Sequence, residues 1–191
     1  MPRDLVRIPP LRSSFLSFEK DVETIVKKLF IENRPYSDEL KRLLCISAKD
    51  ALEGDYKADI DKISVADLMD KYILIRPKYF QEEFDEEQSV ILISFDNFVP
   101  NANNHKFRDC IIRFDILCNV RNWDLGNYRL RPLKIAGYID GILNESRLSG
   151  IGTLNFAGCQ MGNYGENLSG YTLMYYAIHG SDDEIPKQEV I

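Results

Sequence analysis

A chain of 191 residues has room for one domain with extensions, or for two small domains at most. Hydrophobic residues make up 45% of it, including ten Tyr and ten Phe, which is enough for a packed core and excludes global disorder. The net charge of -6 and the lack of a Lys/Arg block argue against direct recognition of a nucleic-acid duplex, because such proteins carry a basic surface.

The cellular setting follows from what the sequence lacks. No apolar run approaches the roughly 18 residues of a membrane-spanning helix, and the N-terminus has no hydrophobic segment of the secretory type. We therefore expect a protein made in a cytoplasm, with no membrane partner. The four cysteines show no C-x-x-C spacing, so we expect reduced core residues rather than disulfides or zinc ligands.

The N-terminal region begins as an extended arm and then changes to a helical pattern. Residues 1–14 have little periodicity and are predicted to be an arm that is either disordered or docked on a partner. From Ser17 onward, apolar residues at helical spacing predict an amphipathic helix. That helix should end near Asn33, because Pro35 disfavours helix at the residue before it.

A mainly helical part is predicted to extend over residues 15–70. Ser37 is the predicted N-cap of a second short helix, with acidic residues in its first turn. The polar section 49–71 is interpreted as a connector with one weak helical patch at 63–69. The apolar segment 72–75 predicts the first strand.

The central segment gives the firmest local prediction. Residues 110–121 alternate between apolar and mixed positions, which is typical of a strand with one buried face. The β-branched run 90–95 predicts a partner strand. Between them, residues 97–108 are rich in Asn and predict a long hairpin loop.

The C-terminal third is predicted to contain one helix and two strands. Residues 130–144 have helical spacing, with Pro132 acceptable in the first turn. Gly137 and Gly141 would let this helix approach the sheet closely. The two remaining strands are predicted at 152–160 and 170–179, joined by a loop over 161–168, and an acidic tail at 181–191 completes the chain.

These elements predict an α+β fold, in which an antiparallel sheet of about four to five strands is flanked by helices. We expect a single domain over residues 15–180. Its N-terminal helical part precedes the hairpins that dominate the sheet.

The residue patterns do not predict an enzyme. His105 and His179 lack a nucleophile at catalytic spacing, and no glycine-rich phosphate loop is present, so we predict no catalytic residue and no cofactor. Asp115 lacks the E-x-K that a magnesium-dependent nuclease would place after it, so no metal site is predicted either. Arg113 and Asp115 share a strand face with apolar neighbours, which suits either a protein interface or a solvated sheet face.

Several segments resemble the tail-terminator or tail-completion proteins of tailed bacteriophages. The resemblance covers roughly residues 40–180 and rests on structural rather than catalytic motifs. It is carried by LLCISAKDAL, YILIRPK, ILISFDNFVPNANNHKFRDCIIRFDILCNVRNWDL, RLRPLKIAGYIDGILN, GIGTLNFAGCQMGN and LSGYTLMYYAIHG.

The resemblance implies a structural virion protein that assembles in the host cytoplasm. Such subunits form a ring, commonly of six copies, that caps the head-proximal end of the tail tube and joins it to the neck. The implied partners are further copies of the chain, the tail tube protein and neck, connector or portal-adaptor proteins, with DNA only as cargo passing through the lumen. On this basis the hairpin loop 97–108, the loop 161–168 and the two terminal arms are the expected contact elements. The expected contact residues in the two loops are Asn101, Asn103, His105, Lys106, Arg108, Asn163 and Tyr164, and the mixed strand face adds Arg113 and Asp115.

Two other hypotheses stay open at this point. A head-closure or neck adaptor would bind the portal instead of the tube. A small metal-dependent nuclease belongs to a different functional class, and Asp115 would be its first candidate ligand.

Overall fold

The computed structural model describes residues 15, 18–69, 71–75, 88–103, 107–148 and 153–180. The predicted arm and the acidic tail lie outside these residues. The helices are α1 (Phe18–Lys27), which continues as a π-helical turn (Lys28–Glu32), α2 (Tyr36–Cys45), α3 (Lys57–Ile60), α4 (Val65–Leu68) and α5 (Arg131–Leu143). The strands are β1 (Ile73–Leu74), β2 (Ser89–Pro100), β3 (Phe107–Asn119), β4 (Asn155–Asn163) and β5 (Leu168–Gly180).

The sheet has five strands in the order β1-β2-β3-β5-β4. The pairs β2–β3, β3–β5 and β5–β4 are antiparallel, whereas β1 runs parallel to β2. The α+β prediction is thus confirmed, but the sheet is mixed rather than purely antiparallel. Its parallel strand has only two residues.

The central hairpin is longer than predicted. Strand β2 continues to Pro100 and β3 begins at Phe107, so the loop covers residues 101–106 instead of 97–108. The register shifts between Asp96 and Val99, and Asn97 adopts a φ of 53°. Asparagine tolerates this left-handed conformation, so a β-bulge absorbs the polar residues that the sequence suggested were loop.

One face of the sheet is covered by helices and carries the core. The even-numbered residues of β3 from Cys110 to Cys118 lie on this inner face, as the alternation predicted, and they pack with apolar residues of α1, α2 and α5. The edge of Phe114 contacts Tyr175 of β5, with ring centroids 5.8 Å apart. We call the opposite side of the sheet the outer face.

The first helices follow the predicted pattern with one correction. The helical segment ends at Glu32, close to the predicted Asn33. Ser37 is not an N-cap: α2 begins at Tyr36, Pro35 occupies the capping position, and Ser37 is fully buried inside the helix. Its backbone N–H already donates to the carbonyl of Asn33, so the helical turn starts before the serine.

Helix α5 has the predicted position, with Pro132 in its first turn. The prediction that Gly137 and Gly141 face the sheet is wrong. Both glycines are exposed, and a Cβ atom at either position would meet no atom within 4 Å. The sheet is instead contacted by buried aliphatic residues of the helix, among them Ile135 and Ile139.

Arg131 joins α5 to α2. Its side chain is completely buried, and its guanidinium donates five hydrogen bonds, all to backbone carbonyls. Four of the acceptors lie in the last turn of α2 and in the three residues that follow the helix, where carbonyl groups have no partner inside the helix. The acceptors are Leu43 (2.8 Å), Ile46 (2.7 Å), Ser47 (3.0 Å), Ala48 (2.8 Å) and Asn122 (2.8 Å).

The last two strands are shifted relative to the prediction. Strand β4 starts and ends three residues later than expected, and β5 begins at Leu168. The connecting turn is therefore 164–167, shorter than the predicted loop. Because β5 is inserted between β3 and β4, β4 becomes the edge strand.

The cysteines are free, as predicted, but they are not all in the core. Cys110 and Cys118 are buried, Cys45 is half-buried, and Cys159 is exposed on the edge strand β4. Burial raises the pKa of Cys118 to about 11, so this thiol stays protonated at neutral pH.

Candidate functional site

The predicted contact residues do not form one cluster. They lie at the hairpin tip, on the outer face of the sheet, and at the end of β4, while Arg108 is on the inner face. His105 and Lys106 lie outside the residues that the structure describes.

The hairpin tip is ordered by its own polar groups. The side-chain amide of Asn101 donates to Asp109 Oδ1 over 2.7 Å, and the backbone N–H of Asn103 donates to Asn101 Oδ1 over 3.0 Å. Asn103 is exposed and Asn101 is half-buried. These two hydrogen bonds hold the polar side chain of Asn101 in place at the end of β2.

Arg108 points away from the outer face of the sheet. Its guanidinium lies over the ring of Phe15, with the Cζ atom 4.4 Å from the ring centroid. A cation over an aromatic face is attracted by the ring quadrupole. Arg108 thus contacts the N-terminal helical layer, and it does not share a face with Arg113 and Asp115.

On the outer face, Asp115 is the centre of a polar network. One of its carboxylate oxygens accepts from Thr172 Oγ1 (2.5 Å) and Tyr164 Oη (3.3 Å), and it pairs with Arg113 Nη2 (3.2 Å). The Tyr164 and Thr172 hydroxyls are 2.5 Å apart. Asp115 is 5% exposed and Thr172 is 2% exposed. This part of the outer face is therefore enclosed, which contradicts the hypothesis of a solvated face.

One glycine makes room for the network. A Cβ atom at Gly162 would lie 2.9 Å from the Tyr164 ring, so the missing side chain lets the tyrosine fold back over the sheet. Gly170 is opposite Gly162 in the register, but it lies against the backbone of Ile116 and not against the network. Burial raises the pKa of Tyr164, so its hydroxyl stays protonated as a hydrogen-bond donor at neutral pH.

The network stabilises the turn at 164–167 and does not resemble a metal site. A carboxylate that is enclosed and engaged by three side chains is poorly placed to bind a cation. Within the described ranges, no three His, Cys, Asp or Glu residues come together as a metal-binding group. The nuclease hypothesis gains no support from this geometry.

Replacing Thr172 with valine is expected to lower the free energy of unfolding by about 1–3 kcal/mol, because the buried Asp115 carboxylate would lose its closest donor. Urea unfolding followed by circular dichroism would measure this change. Thr24 is a matched control: its hydroxyl bonds to a backbone carbonyl on the surface of α1, and Thr24→Val should change stability by less than about 0.5 kcal/mol. Equal effects of the two substitutions would contradict the role given to the network.

The sequence pointed to Arg113, Asp115 and Tyr164 but not to Thr172, Gly162 or Gly170. The sequence signal for Gly162 is its spacing from Tyr164. Gly162 lies two residues before Tyr164, an arrangement in which an aromatic side chain covers a glycine of a sheet edge. Thr172 carries no distinguishing pattern, since its role depends on the register with Asp115.

The two loops that carry predicted contacts lie at opposite ends of the sheet. The hairpin tip follows β2, whereas the turn 164–167 lies beside Asn119 at the far end of β3. Strand β3 has thirteen residues, which separates the two ends by roughly 40 Å at about 3.3 Å per residue. Asn163, the last residue of β4, belongs to the second end and is exposed.

Helix α5 contributes a further surface on the side away from the sheet. Gly137 and Gly141 line a groove of about 750 Å³ whose walls include Tyr36, Leu133 and Tyr138. Tyr36 is 54% exposed and Leu133 is 44% exposed.

Among the residues that the structure describes, no helix has the length and apolarity needed to cross a membrane.

Comparison with known proteins gives one family. No curated protein matches the sequence. A family model described as YomW matches residues 37–177, about three quarters of the 191-residue chain. The matched range covers more than half of the chain and includes the whole outer-face network, so the chain belongs to the YomW family, a phage-derived family of the SPbeta-like prophage type.

Proposed function

We propose that this chain is a structural virion protein of a tailed bacteriophage, a ring-forming tail terminator. Copies of it cap the head-proximal end of the tail tube, stop tube polymerisation and join the tail to the neck. Its partners in this role are other copies of the chain, the tail tube protein and a neck or connector protein. DNA passes through the lumen without being bound.

The observation that carries the proposal is the position of the two loops. A subunit that joins a tube to a neck must contact two bodies on opposite sides of itself. The hairpin tip and the turn 164–167 supply such contacts about 40 Å apart, along a sheet that fixes their separation. Membership of a phage-derived family supports the phage origin that this proposal assumes.

The acidic character of the chain also suits a channel protein. With a net charge of -6, the surface repels the phosphate backbone of DNA instead of retaining it. Net charge bears on association and solubility rather than on fold, so this point supports the proposal without carrying it.

The experiment combines purified protein with purified tail tubes and, separately, with neck and portal proteins. Negative-stain microscopy would show rings at one tip of each tube, and added protein should stop further growth of tubes in a polymerisation assay. Binding to portal protein with no effect on tubes would overturn the terminator proposal and indicate a neck adaptor.

Substitutions at the two ends make the test more specific. Asn103→Arg changes the exposed hairpin tip, and Glu166→Lys changes the exposed turn at the other end. We expect each to weaken binding of one partner, tube or neck, while leaving the other intact. Lys57→Glu, on the exposed surface of the short helix α3, is the control and should affect neither.

A further inference from the structure

The two lateral edges of the sheet differ in chemistry. At one edge, β4 is hydrogen-bonded to β5 on one side, and within the described residues no other strand pairs with its second side. Its nine residues, NFAGCQMGN, include no charged residue, although 28% of the chain is charged. None of the nine is fully buried.

Soluble proteins usually protect such an edge. The common devices are lysine or other charged side chains, proline, a very short strand, or a bulge. Strand β4 has a bulge between Phe156 and Gly158, at its start, after which the register with β5 is regular as far as Asn163. An uncharged, regular and exposed edge is suited to contact another protein surface.

The inner face of β4 also carries exposed apolar side chains. Phe156 and Met161 pair with Tyr175 and Tyr171, whose neighbours on β3 face the core, so both lie on the inner side. Phe156 is 47% exposed and Met161 is 58% exposed. The helical layer therefore ends before it covers this strand.

The opposite edge has an apolar cleft. It lies beside β1, between α1, α4 and Phe95 of β2, and has a volume of about 550 Å³. Two of its apolar residues are about half exposed, Ile31 at 51% and Ile75 at 48%. The remaining lining includes Val22, Val65 and Met69, and it also includes three charged residues of α1, Glu19, Glu23 and Lys27, of which Glu23 and Lys27 form an ion pair.

We propose that the β4 edge of one copy packs into the β1-side cleft of the next copy, with Phe156 and Met161 inserted among Ile31, Ile75 and their apolar neighbours. The occupant is a second copy because one chain carries both surfaces, at opposite edges of one sheet. A contact between two different patches of identical subunits is heterologous and generates a ring when the rotation closes. The inference rests on the proposed function in taking the chain as a ring subunit, and it adds which surfaces form the ring.

The arrangement also separates the directions of contact. Neighbouring copies meet along the edges of the sheet, whereas the tube and the neck meet its two ends. One subunit can therefore hold all its partners at once, because the four surfaces lie on four different sides of the sheet.

The test uses one substitution on each side of the interface. Met161→Lys introduces a charge on the β4 edge, and Ile31→Glu introduces one in the cleft; both positions are exposed, so each variant should keep its thermal stability. Sedimentation velocity and mass photometry would measure self-association. We expect each variant alone to associate at least about tenfold more weakly than the original chain, since the added charge replaces an apolar side chain that is inserted among apolar neighbours and loses its water in the contact.

Mixing the two variants gives the decisive result. In an equimolar mixture, the lysine edge of one variant meets the glutamate cleft of the other, and the remaining contacts are unchanged, so assembly should return as alternating rings. Val120→Lys is the control, because Val120 is 47% exposed but lies outside both surfaces, and it should leave assembly intact.

Other outcomes would overturn the inference. If the original chain stays monomeric at every concentration, or if it assembles and neither single variant weakens assembly, the proposed contact is wrong. A loss with Met161→Lys that mixing does not restore would indicate a symmetric β4–β4 contact instead. The tail-tube assay is independent: a chain that assembles as described but ignores tubes would refute the terminator role and leave the contact standing.

Discussion

Replacing Arg131 with methionine is expected to lower the free energy of unfolding by at least about 4 kcal/mol. The substitution keeps much of the side-chain volume but leaves five backbone carbonyls without their donor, and each lost bond to a charged group costs roughly 1.5–3 kcal/mol. Domains are stable by only about 5–15 kcal/mol, so this one group decides whether the helical layer stays docked. Chemical denaturation followed by circular dichroism would give the value.

Lysine at the same position should recover only part of the loss. Its ammonium is a compact group with three donors, and it cannot reproduce the planar set of five that reaches both the end of α2 and Asn122. Lys49→Met is the control, because Lys49 pairs with Asp124 on the surface and such pairs contribute at most about 1 kcal/mol. An Arg131→Met protein within 1 kcal/mol of the original would refute the structural role of this arginine.

Gly170→Ala should destabilise the protein by about 3 kcal/mol or more. Gly170 lies opposite Leu117 in the β3–β5 pair, and a Cβ atom there would be 1.7 Å from the carbonyl oxygen of Ile116. The obstacle is backbone at the centre of the sheet, so no side-chain rotation can relieve it and the strands must separate. Thermal unfolding would show the loss as a fall in Tm of roughly 6–12 °C for a chain of this size.

Replacing glycine with alanine in α5 should instead raise the stability of the protein. Gly137→Ala and Gly141→Ala add a Cβ atom in open space, and alanine favours helix over glycine by about 0.8–1 kcal/mol. We expect each substitution to raise stability by about 0.5–1 kcal/mol. If all three alanine variants shift Tm in one direction, the close strand contact at Gly170 does not control stability.

The periodicity of the sequence was sufficient to predict most elements of the fold. Strand β3 alternates with period 2 because one face meets the helices, and α1 and α5 repeat their apolar residues at helical spacing for the same reason. The spacing of the apolar residues indicates which side of each element is buried, and it therefore distinguishes strands from helices. The α+β class followed from these assignments. Boundaries were less accurate where polar residues sit inside an element, as with Asn97 in the bulge of β2.

Other features depend on tertiary contacts that leave no local pattern. Gly137 and Gly141 have the same spacing whether they face the sheet or solvent, and the sequence suggested the wrong side. Arg131 is the first residue of α5, where the helix dipole disfavours a cation. This unfavourable position was the one local sign in the sequence that Arg131 has a structural role. Its five acceptors lie between 9 and 88 residues away along the chain.

The candidate contact surface was predictable only in part. The Asn-rich hairpin and the turn near Tyr164 were correctly predicted as irregular segments between strands. Their placement at opposite ends of the sheet depends on β5 pairing between β3 and β4, and the chain order of the strands does not specify that arrangement. The importance of β4 became visible only once the strand order made it an edge.

The position of β5 between β3 and β4 has a consequence during synthesis on the ribosome. Strand β3 is synthesised well before β5, with which it pairs along all of its thirteen residues. While α5 and β4 are translated, one of the two edges of β3 therefore has no partner strand. Exposed strand edges of this kind promote aggregation between nascent molecules. Correct folding of the nascent polypeptide would therefore depend on how fast translation completes β5.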